Sequence, residues 1–197
     1  LDGRVKTVKG ILPIARKAKL SGLKRCIIPK VNVKEGAIID GIDIIGVTSL
    51  EETIRYLGKS EIEKNILIPP AESSLLDMLE EEQDTEVDFA EINGQEGVKR
   101  AVEIAAAGFH HVLMIGPPGS GKTMIAKRIP GILPKLTMEE SLEVSTIYSV
   151  AGMLDEKKAL MTRRPFLAPH HTISEQALAG GGRVPKPGVI SLAHRGV

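Results

Sequence analysis

Eight consecutive residues carry the densest chemistry in this chain. Gly116-Pro117-Pro118-Gly119-Ser120-Gly121-Lys122-Thr123 satisfies G-x-x-x-x-G-K-[ST] at every fixed position. Glycines let a backbone turn tightly and approach a ligand closely. The main-chain N–H groups of such a loop and of the helix that follows converge on one concavity, where the helix dipole adds partial positive charge. There the Lys122 ammonium can reach β- and γ-phosphates, and the Thr123 hydroxyl can take a place on Mg²⁺. Four fixed positions arise by chance in about 1% of chains this long. The expected site is therefore one for a nucleoside triphosphate, with Gly116, Pro117, Pro118, Gly119, Ser120 and Gly121 as its cradle, Lys122 as its catalytic cation and Thr123 as its metal ligand.

The flanking residues have the types needed to mount such a loop. His111-Val112-Leu113-Met114-Ile115 is a short apolar run of buried-strand type, and Met124–Arg128 reads as a helix ended by Pro130-Gly131. Upstream, Val98, Ala101, Val102 and Ala105 predict a helix over 95–107, stopped by Gly108. Downstream, Thr137-Met138-Glu139-Glu140 is a capping box that opens a helix with Val144, Ile147, Tyr148 and Ala151 on one face. Residues 152–197 show little periodicity and are rich in Gly, Pro and His, a pattern more common in functional loops than in packing elements.

Residues 1–59 read as a smaller α/β unit. Arg4–Val8 is β-prone. Ile11, Ile14, Ala15 and Ala18 have helical spacing, with Pro13 near the start and Gly22 past the end. Arg25–Ile28 and Asp43–Val47 read as strands of a partly parallel sheet. Ser49-Leu50-Glu51-Glu52 is a second capping box, opening a helix with an apolar face of Leu50, Ile54 and Leu57. Residues 60–87 read as a linker, since residues 71–91 hold nine acids and no Lys or Arg, a self-repelling block. Residues 1–30 hold nine basic residues against Asp2 alone. A solvated face and a footprint for nucleic acid both fit that excess, although no aromatic residue is interleaved for base stacking.

Composition bounds the rest. The 197 residues are 42% hydrophobic and carry a net charge of +1, which gives no global pull toward nucleic acid or membrane. No apolar run reaches the ~18–20 residues of a membrane span. The single Cys26 excludes an internal disulfide framework, and its Cys-Ile-Ile setting is that of a strand thiol; a cytoplasmic location is expected. His170-His171 lack the further ligands at metal-site spacing that zinc requires. The Gly180–Gly182 triplet is expected in a tight turn or loop.

Longer motifs occur in a telling order: Asp88–Glu96, Ala105–Gly108, the 116–123 loop, Arg164–Thr172, Gly180–Gly182 and Ser191–His194. In that order they resemble the magnesium-chelatase-like AAA+ ATPases. With Leu1–Arg4 and Gly10–Pro13 added, the chain is similar to the YifB/ComM branch of that family. The resemblance implies an α/β fold class, with the C-terminal part of a Lon-like (ribosomal S5 domain 2-like) unit over 1–59 and, beyond the acidic linker read above over 60–87, the N-terminal part of a P-loop AAA+ domain over 88–197, truncated before Walker B. It also implies ATP and Mg²⁺ as cofactors, a homo-oligomeric ring (a hexamer), DNA as a partner, and no membrane. Ile92 and Gly94 become candidates for the adenine side. ComM-like members imply branch migration on DNA, and chelatase relatives imply metal insertion into a porphyrin. A nucleotide-dependent assembly module is a third reading.

Three departures qualify the resemblance. The family's acidic Walker B pair is expected immediately after Gly196-Val197, with the sensor residues and arginine finger beyond it, so the 197 residues alone are expected to lack turnover. Val189 stands where similar proteins carry an acid. Leu12 stands where Lon-type proteases carry their catalytic lysine, which removes a Ser–Lys dyad.

Overall fold

The computed structural model describes residues 2–72, 88–154 and 159–197. The chain divides into two compact units: Leu1–Glu81 with Leu142–Met161, and Glu82–Ser141 with Thr162–Val197.

In the first unit, helix α1 (Ile11–Leu20) is followed by strand β1 (Arg25–Pro29), a 3-10 turn at Lys30–Asn32, and the short helix α2 (Val33–Gly36). Strand β2 (Asp43–Val47) and helices α3 (Leu50–Leu57) and α4 (Glu61–Leu67) follow. Strands β1 and β2 pair in parallel, from Arg25 against Asp43 to Pro29 against Val47, so the expected strands and their parallel sense are present. The connection between them is the helical segment a parallel pair requires. Helix α1 buries Ile11, Leu12 and Ala15, and Cys26 lies half-buried in β1, where burial pushes its thiol up from its ordinary value. A raised thiol is a poor nucleophile at neutral pH, as expected of a strand cysteine.

Local signals were followed less faithfully elsewhere. The β-prone Arg4–Val8 run contributes one antiparallel bridge, Arg4 to Ser49, and no strand. Ser49 caps α3 as expected, its hydroxyl accepting the Glu52 N–H at 3.1 Å. The Glu52 carboxylate, however, reaches one residue further back to the Thr48 N–H and hydroxyl, at 2.6 and 2.7 Å, and those bonds lower its pKa. The reciprocal capping box forms instead at Ser60 and Glu63, inside the stretch expected to be linker, so α4 occupies that stretch's start. Residues 73–87, which hold most of the acidic run, lie outside the described residues. The apolar face of α3 is also reoriented. Tyr56 is the residue buried against Ile45 and Val47, while Leu50, Ile54 and Leu57 stay 57, 62 and 58% exposed. An aromatic ring brings a large apolar area to that contact.

Residues 142–161 contribute the second half of helix α7 (Met138–Ala151) to this unit. Ser145 and Ser149, one turn apart, are both buried there. Ser145 Oγ accepts the Met161 N–H at 2.7 Å, and the Ser149 hydroxyl donates to Glu35. Glu35 also accepts the Leu12 N–H in the first turn of α1 at 3.0 Å, an anion at a helix N-terminus. Asn32 completes the network. Its carboxamide donates to the Val8 carbonyl and accepts the Val8 N–H, both at 3.0 Å, and also donates to Glu35.

The second unit opens with a 3-10 turn at Phe89–Glu91, then α5 (Glu96–Ala107), α6 (Lys122–Ile132) and the start of α7. Helix α8 (Glu175–Ala179), strands β3 (Gly180–Gly181) and β4 (Lys186–Pro187) in an antiparallel pair, and α9 (Val189–Leu192) complete it. The glycine triplet thus starts a hairpin, with Gly180, Gly181 and Gly182 all at positive φ. The Thr137 box forms as expected, Thr137 N–H to Glu140 at 3.1 Å and Glu140 N–H to Thr137 at 3.2 Å. Pro130-Gly131 do not end α6, which runs on to Ile132. The expected strand at 111–115 has no ladder, and Leu113 and Ile115 are 84 and 88% exposed. A strand is defined by its neighbours, and none pairs with this run among the described residues.

Replacing Asn32 with Ala strands the Val8 N–H and C=O in a half-buried setting. We expect a loss of about 1–3 kcal/mol in urea denaturation, and a change below about 0.5 kcal/mol would contradict the network's structural weight.

Candidate functional site

The eight-residue motif lies in the second unit, where its last two residues begin α6. Gly119 and Gly121 take φ of 78° and 82°, the left-handed region that a side chain rarely enters, and Gly121 is the N-cap of the helix. The first helical hydrogen bond runs from Ile125 N–H to Gly121 O at 2.9 Å. That leaves the amides of the first turn without intrahelical acceptors and directed out of the helix end, which is the geometry that attracts an anion.

Lys122 folds back over the loop. Its ammonium donates to the Gly116 and Pro117 carbonyls at 2.8 and 2.7 Å and to Ser120 Oγ at 3.1 Å. These acceptors are neutral, so a phosphate oxygen can replace them with a stronger, charge-assisted bond. Thr123 is exposed on the first turn beside it, where its hydroxyl can ligate a cation. Expected cradle and cation residues are therefore brought together in one loop, and their chemistry fits a polyphosphate with Mg²⁺.

The loop is braced from residues 88–95. Phe89 and Ile92 pack with Val102 and Ile125 in the core of this unit, Ile92 being only 1% exposed. Ile92 is thus a core residue of this unit, whereas Gly94 is exposed. Arg128 of α6 holds the same segment, donating to the Asp88 carbonyl at 3.0 Å and to Glu91 at 2.6 Å. Gln95 donates to the Ser120 carbonyl at 3.0 Å. Sequence reading missed Gln95 and Arg128, because both act across 25 or more residues and leave no local pattern.

Arg164, from the Arg-Pro-Phe motif, is buried in the second unit. Its guanidinium donates to the Pro134 and Arg195 carbonyls at 2.6 and 2.7 Å, pairs with Glu140 at 3.4 Å and lies over the Phe109 ring. A buried guanidinium so fully bonded fixes the chain segments it spans. His170 and His171 are exposed with ring centroids 4.1 Å apart and planes tilted by 38°, and His170 Nδ1 lies 2.7 Å from the Thr172 hydroxyl. Among the described residues no group of three or more His, Cys, Asp or Glu could hold a metal ion, and no helix is long and apolar enough to cross a membrane. Val189 opens α9 with its backbone carbonyl bonded to the Ala193 N–H at 2.9 Å.

Residues 88–197 match the family described as magnesium chelatase, subunit ChlI. The chain belongs to the magnesium chelatase family. Within it the chain is YifB/ComM-like. It is 43% identical over 198 residues to an uncharacterized protein of Mycobacterium tuberculosis, covering all of this chain and 38% of that one. It is 39% identical over 198 residues to the uncharacterized protein YifB of Escherichia coli, with 37% of that protein covered. It is 37% identical over 205 residues to the competence protein ComM of Haemophilus influenzae, with 38% of that protein covered. A shorter stretch of 52 residues is 40% identical to an archaeal Lon protease of Halobacterium salinarum, 26% of this chain and 7% of that one. The chain thus spans well under half the length of the relatives it matches throughout. Magnesium chelatase membership carries with it the general expectation of a nucleotide- and Mg²⁺-dependent ATPase, and the mixed α/β fold agrees with an AAA+-like segment.

Gly119 tests the loop's backbone directly, since a Cβ placed there meets nothing within 4 Å. Only φ then penalises a substitution. Gly119→Val should lose more thermal stability than Gly119→Asn, by about 1 kcal/mol, because Asn tolerates the left-handed region and a β-branched residue does not. Equal melting curves for the two variants would contradict the assigned conformation.

Proposed function

We propose that residues 116–123 bind ATP with Mg²⁺, and that the intact protein is an ATP-driven AAA+ ring motor. In this reading Gly116, Pro117, Pro118, Gly119, Ser120 and Gly121 wrap the phosphates and Lys122 neutralises their charge. Thr123 ligates the metal, which would screen the β- and γ-oxygens. The observation that carries the reading is Lys122 itself: an ammonium folded over a loop of left-handed glycines at a helix N-terminus, held there by neutral acceptors a phosphate outbids.

Residues 1–59 are a partial Lon-like unit in this proposal, 60–87 connect, and 88–197 form the first part of the AAA+ domain. Leu12 is fully buried and apolar, so the first unit offers no dyad lysine at that position. The protein is cytoplasmic and assembles as a hexamer that moves along DNA, supporting branch migration. The support is the similarity to ComM and the basic excess in residues 1–30. The family's own description favours a second reading, an ATPase that drives metal insertion into a porphyrin. A nucleotide-dependent assembly module would form ATP-dependent oligomers without displacing strands.

The experiment is ATP hydrolysis and branched-DNA strand displacement by the full-length protein, with Lys122→Ala as the comparison. We expect the variant to lose at least about a hundredfold in turnover, the scale of removing a preorganised charge from a reaction centre. Wild-type turnover by Lys122→Ala would overturn the site. ATP hydrolysis without strand displacement, accompanied by stimulated chelation, would move the assignment to the second reading.

A further inference from the structure

We propose that Gln95 is a positioning residue for the phosphate loop, acting through the carbonyl of Ser120; this rests on the nucleotide reading of residues 116–123. Gln95 stands at the N-cap of α5, a position usually given to a short side chain that caps its own helix. It does not do so: no side-chain capping bond is made. Its carboxamide N–H instead crosses 25 residues of sequence to the Ser120 carbonyl at 3.0 Å.

The backbone of Gln95 is held in the conformation that permits this reach. Its φ and ψ are 56° and 40°, and Gly94 before it has φ 68°. A glutamine at positive φ is strained, and such outliers persist where the surroundings fix them. Here they do: Gln95 O accepts the Val98 and Lys99 N–H groups at 2.9 and 3.0 Å, and Arg128, Phe89 and Ile92 fasten the preceding residues to α6.

The consequence for the loop follows from peptide geometry. In a planar trans peptide the C=O and the next N–H point in opposite directions. Holding the Ser120 carbonyl toward Gln95 therefore turns the Gly121 N–H away from it. That peptide joins Ser120 to Gly121, and Gly121, at φ 82°, offers little resistance on its side to flipping. The Gln95 bond to the Ser120 carbonyl is the side-chain contact that favours the orientation presenting the Gly121 amide to an anion. The same carboxamide nitrogen sits 3.5 Å from where a Gly121 Cβ would be, so it also packs against the turn it orients.

Two variants separate the donor from the backbone. Gln95→Gly accepts positive φ without strain and removes the donor, whereas Gln95→Glu keeps the shape and replaces the donor with an acceptor facing a carbonyl. In the full-length protein we expect both to weaken MgATP binding in calorimetry about tenfold, the scale of one hydrogen bond. The KM for ATP should rise by the same factor, with kcat at saturating ATP within about twofold and ligand-free melting midpoints within about 2 °C of wild type. Unchanged MgATP affinity in both variants overturns the proposal. So does a weakening matched by a large fall in both ligand-free midpoints, which marks a merely structural contact. Wild-type protein that binds no MgATP overturns the nucleotide reading itself, and the Gln95 proposal with it.

Discussion

A polypeptide can grip a polyphosphate with its main chain only if several consecutive N–H groups face the same way, and ordinary residues resist that geometry. In this protein the resistance is removed at Gly119 and Gly121, whose φ of 78° and 82° lets the chain double back before α6 begins. The freedom that makes the turn possible also leaves it undetermined, since glycine pays the largest entropic penalty on ordering. Most of the second unit can be understood as what settles that ambiguity. Phe89 and Ile92 seat the upstream segment on Ile125, Arg128 ties its start, and Gln95 reaches the loop from its end. Lys122 closes the ring of contacts from within, on two carbonyls and a hydroxyl.

That internal closure has a chemical consequence. The ammonium is solvated by dipoles before any nucleotide arrives, so its side chain is already ordered over the loop. Binding exchanges neutral acceptors for charged ones and does not need to order a free lysine chain, a saving in side-chain entropy. Ser120 is central to the exchange, because its hydroxyl serves Lys122 while its carbonyl is held by Gln95.

What could be read in advance was what is decided within a few residues. The phosphate-loop motif, the Thr137 box, α1 after Gly10 and the β1–β2 pair all rest on neighbours close in sequence, apart from the pairing itself. Reading failed where a distant partner decides. The 111–115 run has strand composition but no ladder among the described residues, and apolar composition cannot supply a neighbour. Leu50, Ile54 and Leu57 form a helical stripe, yet Tyr56 took the buried place against Ile45 and Val47. Pro130 suggested a stop, but one missing N–H near the end of α6 did not prevent the helix from reaching Ile132. In the first unit, the Asn32–Glu35–Ser149 network joins segments more than a hundred residues apart, with polar residues that look like surface positions in sequence.

The central claim is that main-chain amides and one ammonium at the head of α6 form a receptor for a nucleoside triphosphate. Calorimetric titration of the complete polypeptide with ATP in the presence of Mg²⁺ tests it most directly. The account predicts saturable heat with no more than one site per chain, and thermal protection of the protein by the same ligand. Flat titration and an unmoved melting curve would contradict it.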